Sequence, residues 1–129
     1  MSRSVSPFVL AFAAMIASAL LGAASANAQN ADNGRQVFRQ ICSICHEVAA
    51  GRNRVGPSLF GVVGRKAGTE PDFHYSDEMK NSGITWDEPT LDRFIAGPRG
   101  VVPGTRMAYA GLKDEQKRHD LIAYLATLH

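Results

Sequence analysis

The sequence lacks the features of several large protein classes. Lysine and arginine together (14) nearly balance aspartate and glutamate (12), and no stretch is rich in basic residues. This balance excludes a polybasic surface for nucleic acid or lipid. No internal repeat and no low-complexity tract follows the first 28 residues, and almost no segment has the alternating pattern of a strand. The chain has 129 residues, which is enough for one helical domain.

The N-terminal segment differs from the rest of the chain. Arg3 precedes an almost unbroken apolar run, Phe8 to Ala24, and small residues follow up to Ala28. This order is typical of a secretory signal peptide cut after Ala28, so we predict a signal peptide over 1–28 and one domain over 29–129. An uncleaved membrane anchor is the alternative, because the run is nearly long enough to span a bilayer. Export predicts a periplasmic location.

Cysteine is scarce, and both copies belong to the predicted domain. Removing 28 of 129 residues leaves 101, with 13 basic side chains against 12 acidic ones. A domain of this size buries apolar surface only moderately well, so a large apolar cofactor would help it to form a core. Two cysteines in an exported protein are expected to be disulfide-bonded, metal-bound or chemically modified.

Helical periodicity appears in three segments. We expect amphipathic helices over about 32–45, 87–96 and 114–128, with Lys117, Arg118 and His119 on the outward face of the last. A long glycine- and proline-rich stretch separates the first two and holds at most a short helix over 76–82. A second such stretch, 97–104, precedes Met107. Compact domains rarely carry such long irregular segments, so we expect them to wrap around a bound cofactor.

The motif that bears chemistry is Cys42-Ser43-Ile44-Cys45-His46, which matches C-x-x-C-H, the pattern of covalent haem attachment. The spacing lets both sulfurs reach the two vinyl groups on one porphyrin edge, and His46 can then coordinate the iron. A thioredoxin-like redox pair is one alternative, but it needs an upstream strand, and none is predicted. Half a zinc site is another, but the sequence has no second cysteine pair.

A second iron ligand is predicted in the loop that ends at Met107, Pro103-Gly104-Thr105-Arg106-Met107. Proline presets one turn dihedral and glycine permits an unusual one, so such a loop can hold a side chain rigidly. The thioether of methionine is a soft, neutral ligand that raises the reduction potential of haem iron. The alternatives are one methionine outside any rigid loop and three histidines: Met79, His74, His119 and His129.

Nearly the whole predicted domain resembles the small class I cytochromes c, which include mitochondrial cytochrome c and its bacterial periplasmic relatives. The matching segments keep the order and spacing of that family: Gly34 with Phe38, Cys42 to His46, Gly56 to Leu59, Gly64 to Gly68, Tyr75-Ser76, Gly83 to Trp86, Pro103 to Met107, and Asp120 to Leu125. The resemblance implies an all-α cytochrome c fold, with three main helices and long loops wrapped around one covalently bound haem.

The resemblance also implies roles for individual residues. His46 and Met107 would be the axial iron ligands, and the Pro57 carbonyl would accept a hydrogen bond from the other nitrogen of His46. Three residues match positions that bond the haem propionates in the family: Arg65, Tyr75 and Trp86. The first and last helices would cross through one glycine and three larger residues: Gly34, Phe38, Tyr124 and Leu125.

Three departures from the family pattern affect this picture. Phe94 stands where most relatives have a tyrosine that bonds the methionine sulfur, and Met79 stands where mitochondrial forms have an asparagine near the haem. Mitochondrial relatives ring the exposed haem edge with lysines, whereas this chain would have to use arginines there: Arg39, Arg52, Arg54, Arg99 and Arg106. Near-neutral charge predicts mild, weakly salt-dependent steering toward acidic partners.

Motif and resemblance together predict a monomeric single-electron carrier rather than an enzyme, with no small-molecule substrate. Its partners would be redox proteins such as a cytochrome bc complex, a terminal oxidase, a photosynthetic reaction centre or a periplasmic dehydrogenase. Two other functions are open. A weakly bound Met107 would permit peroxide reduction or the binding of nitric oxide or carbon monoxide. A retained anchor or a tightly held partner would indicate a subunit of a larger oxidoreductase.

Overall fold

The computed structural model describes residues 29–129, and this part of the chain is all-α, as predicted. Its helices are α1 (Ala31–Gln40), α2 (Asp77–Lys80), α3 (Glu88–Ala96), α4 (Pro98–Val101) and α5 (Glu115–Leu125). The predicted signal peptide over 1–28 lies outside the described residues. Within 29–129, no helix is long and apolar enough to cross a bilayer. The β-structure of the same range is limited to an isolated bridge between Lys66 and Thr85.

Helix α1 begins where its sequence provides a cap and ends earlier than predicted. The Asn30 side chain accepts hydrogen bonds from two backbone N–H groups of the first turn. At Ile41 the backbone leaves the helical region, with φ −120° and ψ −59°. The predicted helix over 32–45 is therefore wrong for its last turn, where Cys42–Ile44 forms a tighter 3₁₀ turn. This change of path separates the cysteine motif from the helix.

The main helix contact is the crossing of α1 and α5. Gly34 is buried there, and a Cβ at this position would overlap the backbone of Asp120 and the side chain of Tyr124. Phe38 packs on Tyr124 with 5.9 Å between ring centroids, and Leu125 is buried beside them in the core. The crossing expected from the resemblance is thus confirmed, because a glycine lets the two backbones approach and the aromatic pair packs beside them.

The second half of the chain differs from its prediction in two places. Gly97 ends α3 as expected, but the stretch after it contains the short helix α4, which begins at Pro98, a residue tolerated in a first helical turn. Helix α5 ends at Leu125 rather than at Leu128, although Leu128 still packs against the core.

An ion pair that the sequence reading missed joins α3 and α5. Arg118 was expected to face outward, but its side chain is only 11% exposed and its Nε donates to Asp92 at 2.7 Å. Its Nη1 also donates to the carbonyls of Leu112 and Lys113, each at 3.0 Å. The expected outward position is therefore wrong for Arg118, because the guanidinium completes the contact between the two helices.

The long segment between the 3₁₀ turn and α2 is held by backbone hydrogen bonds across the chain. Gly61 N–H donates to the Leu128 carbonyl at 2.6 Å, which fastens the segment to the C-terminal end. Gly64 N–H donates to the Trp86 carbonyl, and Trp86 N–H donates to the Arg65 carbonyl, both at 2.8 Å. These bonds bring Arg65 and Trp86 side by side although 21 positions separate them in the sequence.

Candidate cofactor site

The 3₁₀ turn gathers Cys42, Cys45 and His46 into one compact group. The backbone N–H groups of Cys45 and His46 both donate to the Cys42 carbonyl, at 3.1 and 2.9 Å. Both thiols are free and half-buried. Burial, together with the neighbouring Cys45, raises the pKa of the Cys42 thiol to about 11. One bend of the chain therefore carries two sulfurs and an imidazole.

The imidazole of His46 is fixed in one tautomer. Its Nδ1 lies 2.7 Å from the Pro57 carbonyl oxygen. Because a carbonyl can only accept, Nδ1 carries the proton and donates it, which leaves the lone pair of Nε2 available to a metal. Burial lowers the pKa of His46, the bond to Pro57 opposes this effect, and the charge of Arg65 adds to it. The neutral ring with a fixed tautomer is the form that ligates iron.

Gly56 packs directly against this ring. A Cβ at Gly56 would overlap three atoms of the His46 imidazole. The N–H of Gly56 also donates to the Cys45 carbonyl at 2.9 Å, so the loop is fastened to the cysteine turn on the same side. The sequence reading included Gly56 only as part of a matching segment and missed this close approach, which depends on tertiary packing.

The three residues predicted to bond propionates lie in one cluster. Arg65 is adjacent to Trp86 through the backbone bond described above. Arg65 Nη1 donates to the Glu70 carboxylate at 2.8 Å, and the Tyr75 hydroxyl accepts a hydrogen bond from the Glu70 N–H at 3.3 Å. The cluster therefore combines a guanidinium, a phenol and an indole, three groups that can donate hydrogen bonds to the carboxylates of a bound ligand.

Glu70 is the member of this cluster that the sequence reading missed. Its side chain is 10% exposed and that of Arg65 is 15% exposed, so the ion pair is largely shielded from water. The guanidinium is held further by the carbonyls of Ser58 at 2.9 Å and Phe60 at 3.1 Å. A glutamate five positions after the arginine was the only available signal, and nothing local distinguishes it from a surface residue.

Met107 is half-buried, packs against the core and follows a segment held by hydrogen bonds. Its N–H donates to Thr105 Oγ1 at 3.2 Å, and the Thr105 N–H donates to the Val102 carbonyl at 3.0 Å. Arg106 Nη1 donates to the His74 carbonyl at 3.2 Å, which links this loop to the segment before α2. These bonds agree with the predicted rigid loop.

The chain after Met107 is fastened to the end of α3. The Lys113 ammonium donates to the carbonyls of Ala96 at 2.5 Å and Ala110 at 3.4 Å. Gly111 has φ +114°, and a Cβ there would overlap the Ala96 carbonyl. The sequence analysis assigned no role to Lys113, because its shorter bond is to the Ala96 carbonyl, 17 positions earlier in the chain.

The other candidate ligands lie in different surroundings. His119 lies on α5 beside Asp92 and Glu115, with its Nε2 at 3.8 and 3.9 Å from their oxygens. His129 bonds the nearby Ala126 carbonyl at 3.1 Å. Met79 is 8% exposed and packs in the same core as Met107, so it is the alternative that competes most directly with Met107.

A family model described as Cytochrome c matches residues 31–129. The chain belongs to the cytochrome c family. A cytochrome c2 of Rhodomicrobium vannielii is 53% identical over 118 residues, which covers 90% of this chain and 94% of that protein. A cytochrome c2 of Blastochloris viridis is 52% identical, covering 79% of this chain and 80% of that protein. A solved structure of cytochrome cH from Methylobacterium extorquens has a TM-score of 0.72 at 43% identity, covering 76% and 98% of the two chains.

Family membership confirms the predicted cytochrome c fold and the prediction of an electron carrier rather than an enzyme. It also implies one covalent haem c, with Cys42 and Cys45 in the attachment motif. The residues of this cytochrome fit that group. Both cysteines lie in one turn with His46, the Nε2 lone pair of His46 is available, and Cys42, Tyr75 and Met107 all pack against one apolar core.

Two departures from the family pattern have visible consequences in this cytochrome. The ring of Phe94 packs on Trp86 at 4.8 Å between centroids, so this position stabilises the core but has no hydroxyl to offer a methionine sulfur. Among the arginines expected at the haem edge, Arg54 pairs with Glu47 at 3.2 Å. Within residues 29–129, the other four have no acidic partner within 4.0 Å: Arg39, Arg52, Arg99 and Arg106.

Proposed function

We propose that this cytochrome is a periplasmic single-electron carrier whose haem c is fixed by Cys42 and Cys45 and whose iron is held by His46 and Met107. The observation that carries the proposal is the 2.7 Å hydrogen bond between His46 Nδ1 and the Pro57 carbonyl. This bond leaves Nε2 as the free donor and makes the imidazole a stronger ligand. The cytochromes c2 among the relatives support the carrier role.

When bound, the haem supplies one-electron chemistry at its iron. The chain keeps the ligands in place while the charge changes. Gly56 and the Pro57 carbonyl prevent rotation of the His46 ring. The neutral thioether of Met107 favours the reduced state and excludes external ligands. Fixed ligands keep the structural rearrangement small, which suits a carrier that must be oxidised and reduced quickly.

The propionates of the haem need partners because burying a carboxylate without one is costly. Arg65, Tyr75 and Trp86 would provide them. Arg65 has five N–H donors, and three of these already bond Ser58, Phe60 and Glu70. The remaining two face no other partner among the described residues and are sufficient for a propionate oxygen.

Partner proteins would dock transiently near Met107. Arg99 borders a surface concavity of about 470 Å³ between α4 and the segment 108–110 that follows Met107. Its charge has no acidic partner within the described residues, so it is available to acidic groups of a redox protein. A cytochrome bc complex, an oxidase, a reaction centre or a periplasmic dehydrogenase would supply such groups.

The periplasmic location depends on the segment before Gln29. The positive end, apolar run and small residues up to Ala28 support cleavage there. Intact mass and N-terminal sequencing of the protein from its native host would give a chain that starts at Gln29. A chain that still starts at Met1 and sediments with membranes would instead support the anchor.

Absorption spectra of the purified protein test the function. We expect a c-type reduced spectrum, a weak red-end band of methionine-ligated ferric iron, reversible one-electron titration, and no shift when carbon monoxide is added to the reduced form. Rapid carbon monoxide binding without the methionine band would contradict a six-coordinate carrier and favour a catalytic or sensory protein.

A further inference from the structure

We propose that Glu70 sets the reduction potential of this cytochrome by cancelling the charge of Arg65. This role rests on the proposed haem site at His46. It goes beyond that site because Glu70 does not belong to the residues expected to touch the haem. Glu70 is a positioning and charge-compensating residue, since it acts through Arg65.

The Arg65–Glu70 pair is the most shielded ion pair of the described residues. Its two side chains are 15% and 10% exposed at 2.8 Å separation, whereas those of the Arg54–Glu47 pair are 47% and 40% exposed at 3.2 Å. Water screens the exposed pair strongly, while charges in a drier environment act on their neighbours over longer distances. Only the shielded pair is therefore expected to act strongly on a nearby redox centre.

Arg65 is held where its charge reaches the iron site. Its guanidinium bonds the Ser58 carbonyl at 2.9 Å, and Ser58 follows Pro57, whose carbonyl bonds His46. A guanidinium held this close to the iron ligand disfavours ferric iron, which has one more positive charge than ferrous iron.

Glu70 opposes this effect. Burial raises the pKa of the Tyr75 phenol, and the charges of Arg65 and Glu70 then act on it in opposite directions. At the position of the iron, the negative carboxylate likewise reduces the field of the guanidinium. Removing the charge of Glu70 removes this opposing field, so the ferrous state gains relative to the ferric state and the potential rises.

The test is a redox titration of the holoprotein with Glu70→Gln, which keeps the shape of the side chain and removes its charge. We expect the reduction equilibrium constant to increase about three- to tenfold, equivalent to about 30 to 60 mV for one electron. Glu47→Gln is the matched control, because it removes the same charge from an exposed pair, and its effect should stay below about 1.5-fold. Equal shifts in the two variants, or a lower potential in Glu70→Gln, would overturn the role of Glu70.

Glu70→Asp separates charge from packing. It keeps the negative charge, so its reduction equilibrium constant should stay within about 1.5-fold of the parent value. This holds even if the shorter side chain lowers the midpoint of thermal unfolding. A shift as large as that of Glu70→Gln would show that geometry rather than charge matters and would overturn the proposal. A parent protein without covalent haem or without the methionine band would instead contradict the proposed function.

Discussion

The two sides of the candidate iron site are built differently. On the His46 side, backbone hydrogen bonds form the 3₁₀ turn, the Pro57 carbonyl fixes the imidazole, and Gly56 fills the space beside the ring. On the Met107 side, the Thr105 N–H bonds the Val102 carbonyl, and two side chains supply further restraint. Arg106 bonds the His74 carbonyl at 3.2 Å, and Lys113 bonds the carbonyls of Ala96 at 2.5 Å and Ala110 at 3.4 Å. Both of these cations belong to exposed residues.

This difference indicates which side gives way first. Backbone bonds and close packing cannot be removed singly without changing the fold, whereas an exposed side-chain bond contributes little and exchanges easily with water. We therefore expect the His46 side to remain fixed under conditions in which the Met107 side opens. A carrier built in this way keeps its cofactor, while substitutions on the Met107 side can change the ligation of the iron.

The largest effect is expected when the cysteine turn is broken. Cys45→Ala removes one attachment point, so most of the covalent haem should be lost, and a remaining fraction would be bound through Cys42 alone. Haem absorbance per mole of polypeptide, after denaturation and extraction, measures this loss. A normal yield of acid-resistant haem would contradict attachment at Cys45.

The second-largest effect is expected when the proposed ligand on the Met107 side is removed. Met107→Ala should leave the haem attached but abolish the methionine band, permit carbon monoxide binding and lower the potential, because the thioether favours ferrous iron. Met79→Leu is the matched control, since it keeps an apolar side chain in the same core, and it should keep the band. Loss of the band in Met79→Leu alone would assign the ligand to Met79.

A smaller effect is expected when the packing on the His46 side is disturbed. Gly56→Ala places a methyl group into the imidazole, so the free energy of unfolding should fall by about 1–3 kcal/mol. Gly100→Ala is the control, because no atom lies within 4 Å of a Cβ there. Denaturant titration of both holoproteins gives the comparison, and equal stability of the two variants would show that Gly56 does not hold the ring.

The smallest effect concerns the Met107 side. Lys113→Met keeps the length of the side chain but removes its bonds to Ala96 and Ala110, so the affinity of the ferric protein for imidazole should increase about two- to fivefold. Lys117→Met changes an exposed lysine of α5 and should leave this affinity unchanged. An equal affinity in the parent and in Lys113→Met would mean that the loop is held elsewhere.

Much of this molecule could be predicted from sequence because its signals are local. The capped helices, the C-x-x-C-H motif and the proline-glycine loop before Met107 each depend on neighbouring residues. The family resemblance then supplied Pro57, whose carbonyl does bond His46 Nδ1 in the structure. The end of α1 was misplaced because periodicity continues through Cys45, while the backbone turns at Ile41.

The residues that were missed act through distant partners. Glu70 pairs with Arg65, Arg118 turns inward to Asp92, and Lys113 reaches the Ala96 carbonyl. Charged side chains of this kind look like surface residues in a sequence, because their partners are fixed only when the loops and helices pack. Tertiary contacts therefore decide the charge distribution around the site, whereas its candidate ligands could be predicted from local patterns.

The most direct measurement of the iron ligation is NMR of the reduced holoprotein with ¹³C-labelled methionine methyl groups. A methyl group bound at the iron lies over the haem ring and is shifted far upfield by the ring current. The account predicts one such resonance, present in Met79→Leu and absent in Met107→Ala. A spectrum without any shifted methyl resonance, or one in which the shifted resonance disappears with Met79→Leu, would contradict ligation by Met107.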